Sequence, residues 1–343
     1  METVARPVNG TFLDVVAKVP EVAQRVHGDR IVQHAADNLP FLRKSLRDLA
    51  PPDPARARSA LVVCSGPSLK RRDSIRRIVE SGYRGLVVAA DGAYIACLKG
   101  GLVPDYVLTL DPHPSRIVRW FGDPEVENHS QGDDYFERQD LDVAFRKNSL
   151  RQNQENIDLV DHHAARTRLV IASSASAAVT RRAVAAGFDM YWWNPIVDDP
   201  RAPGSLTRRL REINGLPCMN TGGQTGGACY VFAATLLKAQ EVALVGMDCG
   251  YYADTPYEQT QLYYELQHLH GGREGIEPYF PEFIFPLTGE RFYTDPSYYR
   301  YRESLLGISA ELKTRTLNCT EGGIVFGPKV ACLRLEEFLE RHR

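Results

Sequence analysis

One stretch of this sequence has the residue types that bind phosphate. Residues 220–227 read NTGGQTGG, and the Ala- and Leu-rich residues that follow predict a helix. Glycine permits unusual backbone angles, and a polar loop leading into a helix directs N–H groups toward an anion. The alternative is a tight strand-to-helix turn without a ligand. The predicted anion-binding residues are Asn220, Thr221, Gly222, Gly223, Gln224 and Thr225.

A second turn of this kind follows the apolar run at residues 60–63 and reads Ser65-Gly66-Pro67-Ser68. Serine hydroxyls and backbone amides both donate hydrogen bonds to anions. Neither glycine-containing stretch is a Walker A loop, because no G-K-[ST] follows, and neither is a clean G-x-G-x-x-G. An ordinary dinucleotide site is therefore disfavoured. Two such elements at one sheet edge predict a nucleotide or nucleotide-sugar.

Carboxylates follow three other apolar runs. Asp91 follows residues 86–90, Asp111 follows 106–110, and Asp248 comes shortly after 242–245. In a parallel sheet these strand ends share one edge, where ligands bind. Asp91, Asp105 and Asp111 could hold Mg²⁺. Alternatively, Asp105 belongs to a Pro-Asp turn, and Asp91 and Asp111 bind loop amides or a ribose.

Candidates for proton transfer are His268, His270 and Asp248. Both histidines lie in a Tyr-rich segment, and histidine titrates near neutrality, which suits a general base. The alternative for the histidines is a packing or hydrogen-bonding role. Asp248 could instead cap the following loop or contact a nucleoside.

The elements that position these residues follow an α/β pattern. From Ser59 onward, short apolar runs alternate with helical segments, which predicts a Rossmann-like, mostly parallel sheet flanked by helices. The predicted strands lie at residues 60–63, 86–90, 106–110, 169–172, 190–193, 242–245 and 316–319.

We expect two parts in the chain. Residues 1–55 form a helical N-terminal arm, with helices at 12–26 and 31–49 and a break at Pro40. This arm either offers a partner surface or, as we favour, packs on the main domain. Residues 56–343 form the nucleotide-binding catalytic domain, with a polar insertion at about 120–166 and an aromatic loop-and-helix lid at about 250–301.

Net charge, apolar runs and cysteine content exclude several classes of protein. The net charge of −2 over 343 residues gives no field that would favour nucleic acid or an anionic membrane. No apolar run approaches the ~20 residues of a membrane span. The seven cysteines form no C-x-x-C pair, so neither a disulfide framework nor a zinc site is supported. We therefore expect a reduced, cytoplasmic protein.

Several motifs, in order, resemble the MptE-like domain, which covers archaeal 6-hydroxymethylpterin diphosphokinase and the bacterial motility-accessory-factor (Maf) flagellin glycosyltransferases. The resemblance spans about residues 38–340. The motifs are Asn38-Leu39-Pro40, Ser65-Gly66-Pro67-Ser68-Leu69, Ala89-Ala90-Asp91-Gly92, Pro104-Asp105-Tyr106 with Asp111-Pro112, residues 221–227 with Val245-Gly246-Met247-Asp248, and Asn318-Cys319-Thr320-Glu321-Gly322-Gly323.

The resemblance implies a nucleotide-binding domain, with Gly92, Gly322 and Gly323 among its site residues. The Maf branch is similar to sialyltransferases that use CMP-sugars, in which the Gly-Pro-Ser turn and the Thr-Gly-Gly loop hold the phosphate. The resemblance to the Maf branch implies no required cofactor. In the diphosphokinase branch, Asp91 and Asp111 would serve Mg²⁺ and ATP. The Thr-His pair common in the Maf branch is missing after Asp248, so the resemblance does not assign the base.

The favoured hypothesis is therefore a glycosyltransferase-like enzyme that moves a sugar, such as a nonulosonic acid, from a CMP-type donor to an unidentified acceptor. The first alternative is a Mg²⁺-dependent pyrophosphokinase that uses ATP and acts on a pterin-like alcohol. The second alternative is a nucleotide-binding module without catalytic activity. Retention of CMP would favour the glycosyltransferase, and retention of ATP with Mg²⁺ would favour the pyrophosphokinase.

Overall fold

The computed structural model describes residues 4–6, 8–129, 151–260, 262–270 and 275–343. Residues 130–150 of the predicted polar insertion at 120–166 lie outside the described residues. The part that is described contains short helical segments and the helix Asn153–His163.

In the residues that the structure describes, nine parallel strands form the central sheet, as the sequence predicts for its fold class. The strands are β2 (Ser59–Val63), β3 (Leu86–Ala90), β4 (Tyr106–Thr109), β5 (Arg168–Ala172), β6 (Asp189–Ile196), β7 (Cys218–Asn220), β8 (Glu241–Val245), β12 (Arg315–Asn318) and β13 (Val330–Cys332). Four more strands pair antiparallel in a small second sheet: β1 (Val4–Arg6), β9 (Tyr251–Tyr252), β10 (Glu282–Ile284) and β11 (Arg291–Tyr293).

Twelve α-helices flank these sheets in the described part of the chain. They are α1 (Gly10–Asp37), α2 (Ser68–Arg71), α3 (Ser74–Ser81), α4 (Asp91–Lys99), α5 (Val126–His129), α6 (Asn153–His163), α7 (Ala177–Ala186), α8 (Leu206–Asn214), α9 (Thr225–Val231), α10 (Tyr263–His270), α11 (Pro296–Glu311) and α12 (Leu335–Arg341). None of the described helices is long and apolar enough to cross a membrane.

The strand order creates a switch point beside β2. The order is β13-β12-β8-β2-β3-β4-β5-β6-β7, so the chain runs outward from β2 to β7 and then returns to β8 on the other side of β2. Val63 pairs with Val245 of β8 on one side and with Ala89 of β3 on the other. Open α/β sheets bind ligands outside the carboxyl ends of the strands at such a point.

Both faces of the central sheet are covered, which explains why its inner strands are continuously apolar. Ala60 and Val62 of β2 face a cluster that includes Phe232, which follows α9. Leu61 and Val63 face the opposite cluster, which includes Phe338 of α12. All five residues of β2 are buried. This rigid layer fixes the positions of the turns at the strand ends.

The N-terminal arm differs from its prediction. α1 is one helix, with Pro20 inside it, and it ends at Asp37 before Pro40. Asn9 caps its start by accepting a hydrogen bond of 2.8 Å from the Phe12 amide. The second predicted helix, at 31–49, is wrong beyond residue 37, where only short 3-10 turns occur. α1 packs against α11 and α8 and so lies across the strand ends.

The predicted lid region also differs in part. It contains α10 and the beginning of α11, but it also contributes β9, β10 and β11 to the antiparallel sheet. Tyr257 and Phe280 stack with ring centroids 4.4 Å apart, and Tyr293 packs edge-on against both rings. Aromatic packing therefore makes much of this segment a fixed structural layer.

Candidate active site

A cavity of about 740 Å³ extends along the carboxyl ends of the central strands. Its floor consists of the turns after β2, β3, β4 and β8, and the loop after β7 forms one side. The predicted site residues that line it are Ser65, Gly66, Pro67, Asp91, Gly92, Asp111, Asn220, Thr221, Gly222, Gly223, Gln224, Thr225 and Asp248.

Glycine is required at the switch point because two turns come into contact there. The Gly66 amide donates a hydrogen bond of 2.8 Å to the Gly246 carbonyl. A Cβ atom at Gly66 would lie 2.1 Å from Asp248 Oδ2 and 2.5 Å from the Gly246 oxygen. Gly246 itself has a φ of 67°, which few other residues adopt. These glycines bring the Asp248 carboxylate against the turn after β2.

Asp248 is a buried carboxylate with one oxygen that has no hydrogen-bond partner in the described structure. It is 2% exposed, and its Oδ2 accepts hydrogen bonds from Ser68 Oγ at 2.8 Å and from the Ser68 amide at 3.4 Å. No described group hydrogen-bonds to Oδ1. Burial raises the pKa of Asp248 to about 7, although the bonds from Ser68 favour the charged form. Such a group can take up or release a proton near neutrality.

Asp91 is a second buried carboxylate in the cavity. It begins α4, and its Oδ1 accepts a hydrogen bond of 2.7 Å from the Gly92 amide. The Thr109 hydroxyl is close but does not meet hydrogen-bond geometry with Oδ2. Burial raises the pKa of Asp91 to about 7. Two carboxyl groups that are easily protonated therefore lie on either side of the turn after β2.

The third predicted acid at this edge, Asp111, is less buried. It forms an ion pair with Arg116 and accepts a hydrogen bond of 2.8 Å from the His113 amide. Arg116 also lines the cavity. Asp111 therefore positions a cation at the edge of the site.

Asp105 does not belong to the site, and its predicted role in Mg²⁺ binding is wrong. It precedes β4, at the opposite edge of the sheet, where it accepts two hydrogen bonds of 2.7 Å from Arg56 and one of 2.9 Å from the Val87 amide. Within the described ranges, no group of three or more His, Cys, Asp or Glu side chains has the geometry to hold a metal ion.

The glycine-rich loop after β7 uses some of its donors internally. The Gly222 amide donates to Asn220 Oδ1 and the Gly223 amide to Thr221 Oγ1, each at 3.0 Å. Cβ atoms at these glycines would lie 3.4 Å from Ile308 Cδ1 and 3.2 Å from Tyr301 Cε1 of α11, respectively. The sequence suggested that these two amides bind an anion, but both already donate hydrogen bonds within the loop. The glycines instead allow α11 to approach.

Three predicted site residues lie beneath the cavity and do not line it. Ser68 is fully buried and acts on the cavity only through Asp248. A Cβ atom at Gly323 would lie 2.2 Å from the Asp248 carbonyl oxygen, and one at Gly322 would lie 2.9 Å from the Phe292 ring. These residues hold the turn that carries Asp248, so they support the site without facing a ligand.

His268 and His270 lie at the end of α10, but their side chains fall outside the described residues. Earlier in the same helix, Tyr263 and Leu266 are buried in the aromatic cluster with Tyr279 and Phe280. The suggested role of the two histidines as a base therefore stays a prediction.

Two helices supply the opposite wall of the cavity, which no sequence motif had indicated. From α1 come Val19, Pro20, Ala23, Gln24, His27 and Ile31, and from α11 come Tyr298, Arg300, Tyr301, Ser304 and Ile308. Helical periodicity indicated that residues near 12–26 form a helix, but no motif marked His27 or Arg300 as functional. Only the packing of α1 and α11 over the strand ends brings them to the site.

Together these observations define a Rossmann-like α/β protein with a ligand cavity at the switch point of its sheet. Residues 33–120 match the family model described as 6-hydroxymethylpterin diphosphokinase MptE-like. This segment contains the turns after β2, β3 and β4 that form much of the floor. The predicted resemblance to the MptE-like family is confirmed. No curated protein matches the chain.

The fold is similar to that of the Maf glycosyltransferase from Magnetospirillum magneticum AMB-1, with a TM-score of 0.53 and 14% sequence identity. The match covers 90% of this chain and 38% of that chain. The chain thus corresponds to well under half of the larger protein. At this identity the likeness establishes the fold.

Proposed function

We propose that the protein is a glycosyltransferase-like enzyme that moves a sugar, such as a nonulosonic acid, from a CMP-type donor to an acceptor hydroxyl. The observation that carries this proposal is the Asp248 carboxyl group, which lines the cavity at the switch point and whose buried Oδ1 has no hydrogen-bond partner in the described structure. The fold shared with a Maf glycosyltransferase supports the choice of reaction class. A cytoplasmic location is part of the proposal.

The cavity has a suitable size and floor for a nucleotide-sugar. Its volume of about 740 Å³ falls within the range of roughly 300–1,000 Å³ typical of small-molecule sites. Ser65 and Thr225 line it at the turn after β2 and at the end of the loop after β7. In the proposed reaction, their hydroxyl groups stabilise the phosphate that leaves.

Asp248 is the group that we propose as general base. Its Oδ1 takes the proton of the acceptor hydroxyl while the acceptor oxygen bonds to the anomeric carbon. The bond from that carbon to the phosphate oxygen breaks, and CMP leaves with the electron pair. A base with a pKa near the working pH suits this task, and Ser68 fixes the carboxylate by bonding to Oδ2.

The second candidate function is Mg²⁺-dependent pyrophosphoryl transfer from ATP, which the family model over residues 33–120 favours. Asp91 and Asp111 would hold Mg²⁺, which commonly binds one or two carboxylates together with phosphate oxygens. The donors fit this role in part. Asp91 Oδ2 has no hydrogen-bond partner in the described structure, whereas the Asp111 carboxylate is already paired with Arg116.

Thermal-shift measurements with CMP, CMP-N-acetylneuraminic acid, UDP, and ATP with or without Mg²⁺ test these proposals. We expect stabilisation by the cytidine ligands without Mg²⁺, and slow release of CMP from the CMP-sugar. Asp248→Asn should abolish that release and retain CMP binding. Val79→Ala, on the outer side of α3, serves as a control. Stabilisation only by ATP with Mg²⁺ would favour the diphosphokinase, and binding without turnover of any donor would favour a non-catalytic module.

A further inference from the structure

The helix α1 contributes one titratable side chain to the cavity lining, His27. The other residues of α1 that line the cavity are Val19, Pro20, Ala23, Gln24 and Ile31, none of which ionises. His27 is half-buried, and it lies on the side of the cavity where Arg116 and Asp111 follow β4. Neither the family match nor the proposed reaction assigns it a role.

The hydrogen bonding of His27 determines what its ring can offer. Nδ1 lies 3.3 Å from Arg30 Nη1. A guanidinium group can only donate hydrogen bonds, so Nδ1 must be the acceptor in this pair. The neutral ring therefore carries its proton on Nε2. For a ligand, His27 is consequently a hydrogen-bond donor, and in this form it cannot serve as a base.

The groups that act on His27 carry one net positive charge, because Arg30 and Arg116 are opposed by Asp111, which is ion-paired with Arg116. Burial, followed by the positive charges of Arg30 and Arg116, lowers the pKa of His27, while Asp111 raises it. The ring is thus neutral at pH 7 and flanked by two guanidinium groups and one carboxylate. An oxyanion placed against Nε2 and Arg116 would be attracted to both, and it would stabilise the protonated ring.

We propose that His27 and Arg116 form an oxyanion-binding subsite in the β4 half of the cavity, separate from the phosphate position at the switch point. β4 is two strands from β2, so the two positions are roughly 10 Å apart at an inter-strand spacing of about 4.8 Å. A substrate longer than a nucleotide monophosphate can reach both. This inference rests on the proposed function in placing the nucleotide at the switch point.

Two sources could supply the oxyanion. One is a carboxylate on the transferred sugar or the acceptor, and the other is a further phosphoryl group of the ligand. Both accept a hydrogen bond from Nε2 and both pair with a guanidinium. The subsite is thus defined by the chemistry that a carboxylate and a phosphoryl group share. The experiment must therefore use one probe for each of them.

The direct test is NMR titration of His27 in the full chain. The sequence has nine histidines, so the His27 signal is assigned by its loss in His27→Gln. We expect sodium N-acetylneuraminate, inorganic phosphate or both to raise the pKa of His27, by about half a unit or more for a nearby charge. A response to the sugar acid alone identifies a carboxylate, and a response to phosphate alone identifies a phosphoryl group. No response to either probe overturns the proposal.

Binding measurements give a second, independent readout. His27→Leu should weaken the binding of CMP-N-acetylneuraminic acid by roughly tenfold or more, as expected for the loss of a hydrogen bond to a charged group, and leave the binding of CMP unchanged. His27→Gln, which retains an N–H donor, should recover part of the loss. Val26→Ala, on the exposed side of α1, is the matched control. Equal weakening of CMP in His27→Leu would contradict a separate subsite.

Failure of this proposal and failure of the proposed function are distinguishable. If CMP and CMP-N-acetylneuraminic acid do not stabilise the wild-type chain, the proposed donor is wrong. The NMR titration uses no nucleotide, so it still decides whether His27 lies in an oxyanion subsite.

Discussion

The Ser68 hydroxyl donates a hydrogen bond of 2.8 Å to the carboxylate of Asp248, 180 residues further along the chain. This bond joins the turn after β2 to the turn after β8, the two strands between which the sheet reverses its order. Ser68 is fully buried and cannot reach a ligand, so its influence on the cavity passes through Asp248.

Ser68→Ala should raise the pKa of Asp248 further above its present value of about 7. The lost hydrogen bond favours the charged carboxylate, while the burial that disfavours it stays. NMR titration of the aspartate carboxyl carbons measures this pKa directly. In Ser81→Ala, which removes a hydroxyl bonded to the Ile78 carbonyl of α3, the pKa should be unchanged. A lowered pKa in Ser68→Ala would contradict the assigned role.

Asp248→Asn should stabilise the ligand-free protein at pH 8. The folded-state pKa of about 7 exceeds the ordinary value of 3.8, so the fold penalises the charged form. The contribution to stability is therefore complete below about pH 4 and is lost as the pH rises through 7. A shift of about three units corresponds to roughly 4 kcal/mol, which is an upper limit for the gain.

Calorimetric melting of wild type and Asp248→Asn at pH 5 and pH 8 measures this effect. The difference in Tm between the two proteins should be larger at pH 8. Asp254→Asn replaces an exposed carboxylate and should show no such pH dependence. A loss of Tm at pH 8 in Asp248→Asn would mean that the charged carboxylate stabilises the fold.

Gly66→Ala should disrupt the switch point, and Gly307→Ala should not. A Cβ atom at Gly66 would meet Asp248 Oδ2 and the Gly246 oxygen at distances that force the backbone to move. No heavy atom lies within 4 Å of a Cβ atom at Gly307, which is inside α11. Alanine there should stabilise the helix by up to about 1 kcal/mol. Urea unfolding gives both values, and a neutral Gly66→Ala would show that the two turns are not in close contact.

Asp105→Ala should destabilise the fold by about 2 kcal/mol without affecting ligand binding. It removes the acceptor of two bonds from Arg56 and one from the Val87 amide, and the latter is left without its partner. The free energy of unfolding in urea measures the loss, and thermal shifts with CMP and with ATP and Mg²⁺ measure binding. Reduced binding at unchanged stability would return Asp105 to the list of candidate Mg²⁺ ligands.

The inner strands could be predicted from the sequence because their residues are apolar on both faces of the sheet. The strand Leu86–Ala90 was predicted with its observed bounds, and Ser59–Val63 and Glu241–Val245 each with one residue missing. β7, β9, β10, β11 and β13 have two or three residues each, too few to show any periodicity. Pairing with distant strands, and not local propensity, determines these short elements.

Only the residues on the floor of the cavity could be predicted from the sequence. Asp91, Asp111 and Asp248 follow strands whose ends must share an edge, so the sequence pattern was enough to bring them together. The long-range packing of α1 and α11 carries no comparable signal, and His27 was therefore missed. Gly222 and Gly223 were assigned to an anion for the same reason, because the helix that approaches them is some 80 residues away in sequence.

The two helices that wall the cavity come from residues 10–37 and 296–311. On a ribosome, the floor turns would therefore emerge well before α11, and a partly synthesised chain would display its buried acids to water with half of the enclosure absent. A newly made chain can therefore bind its ligand only after residues 296–311 have been synthesised.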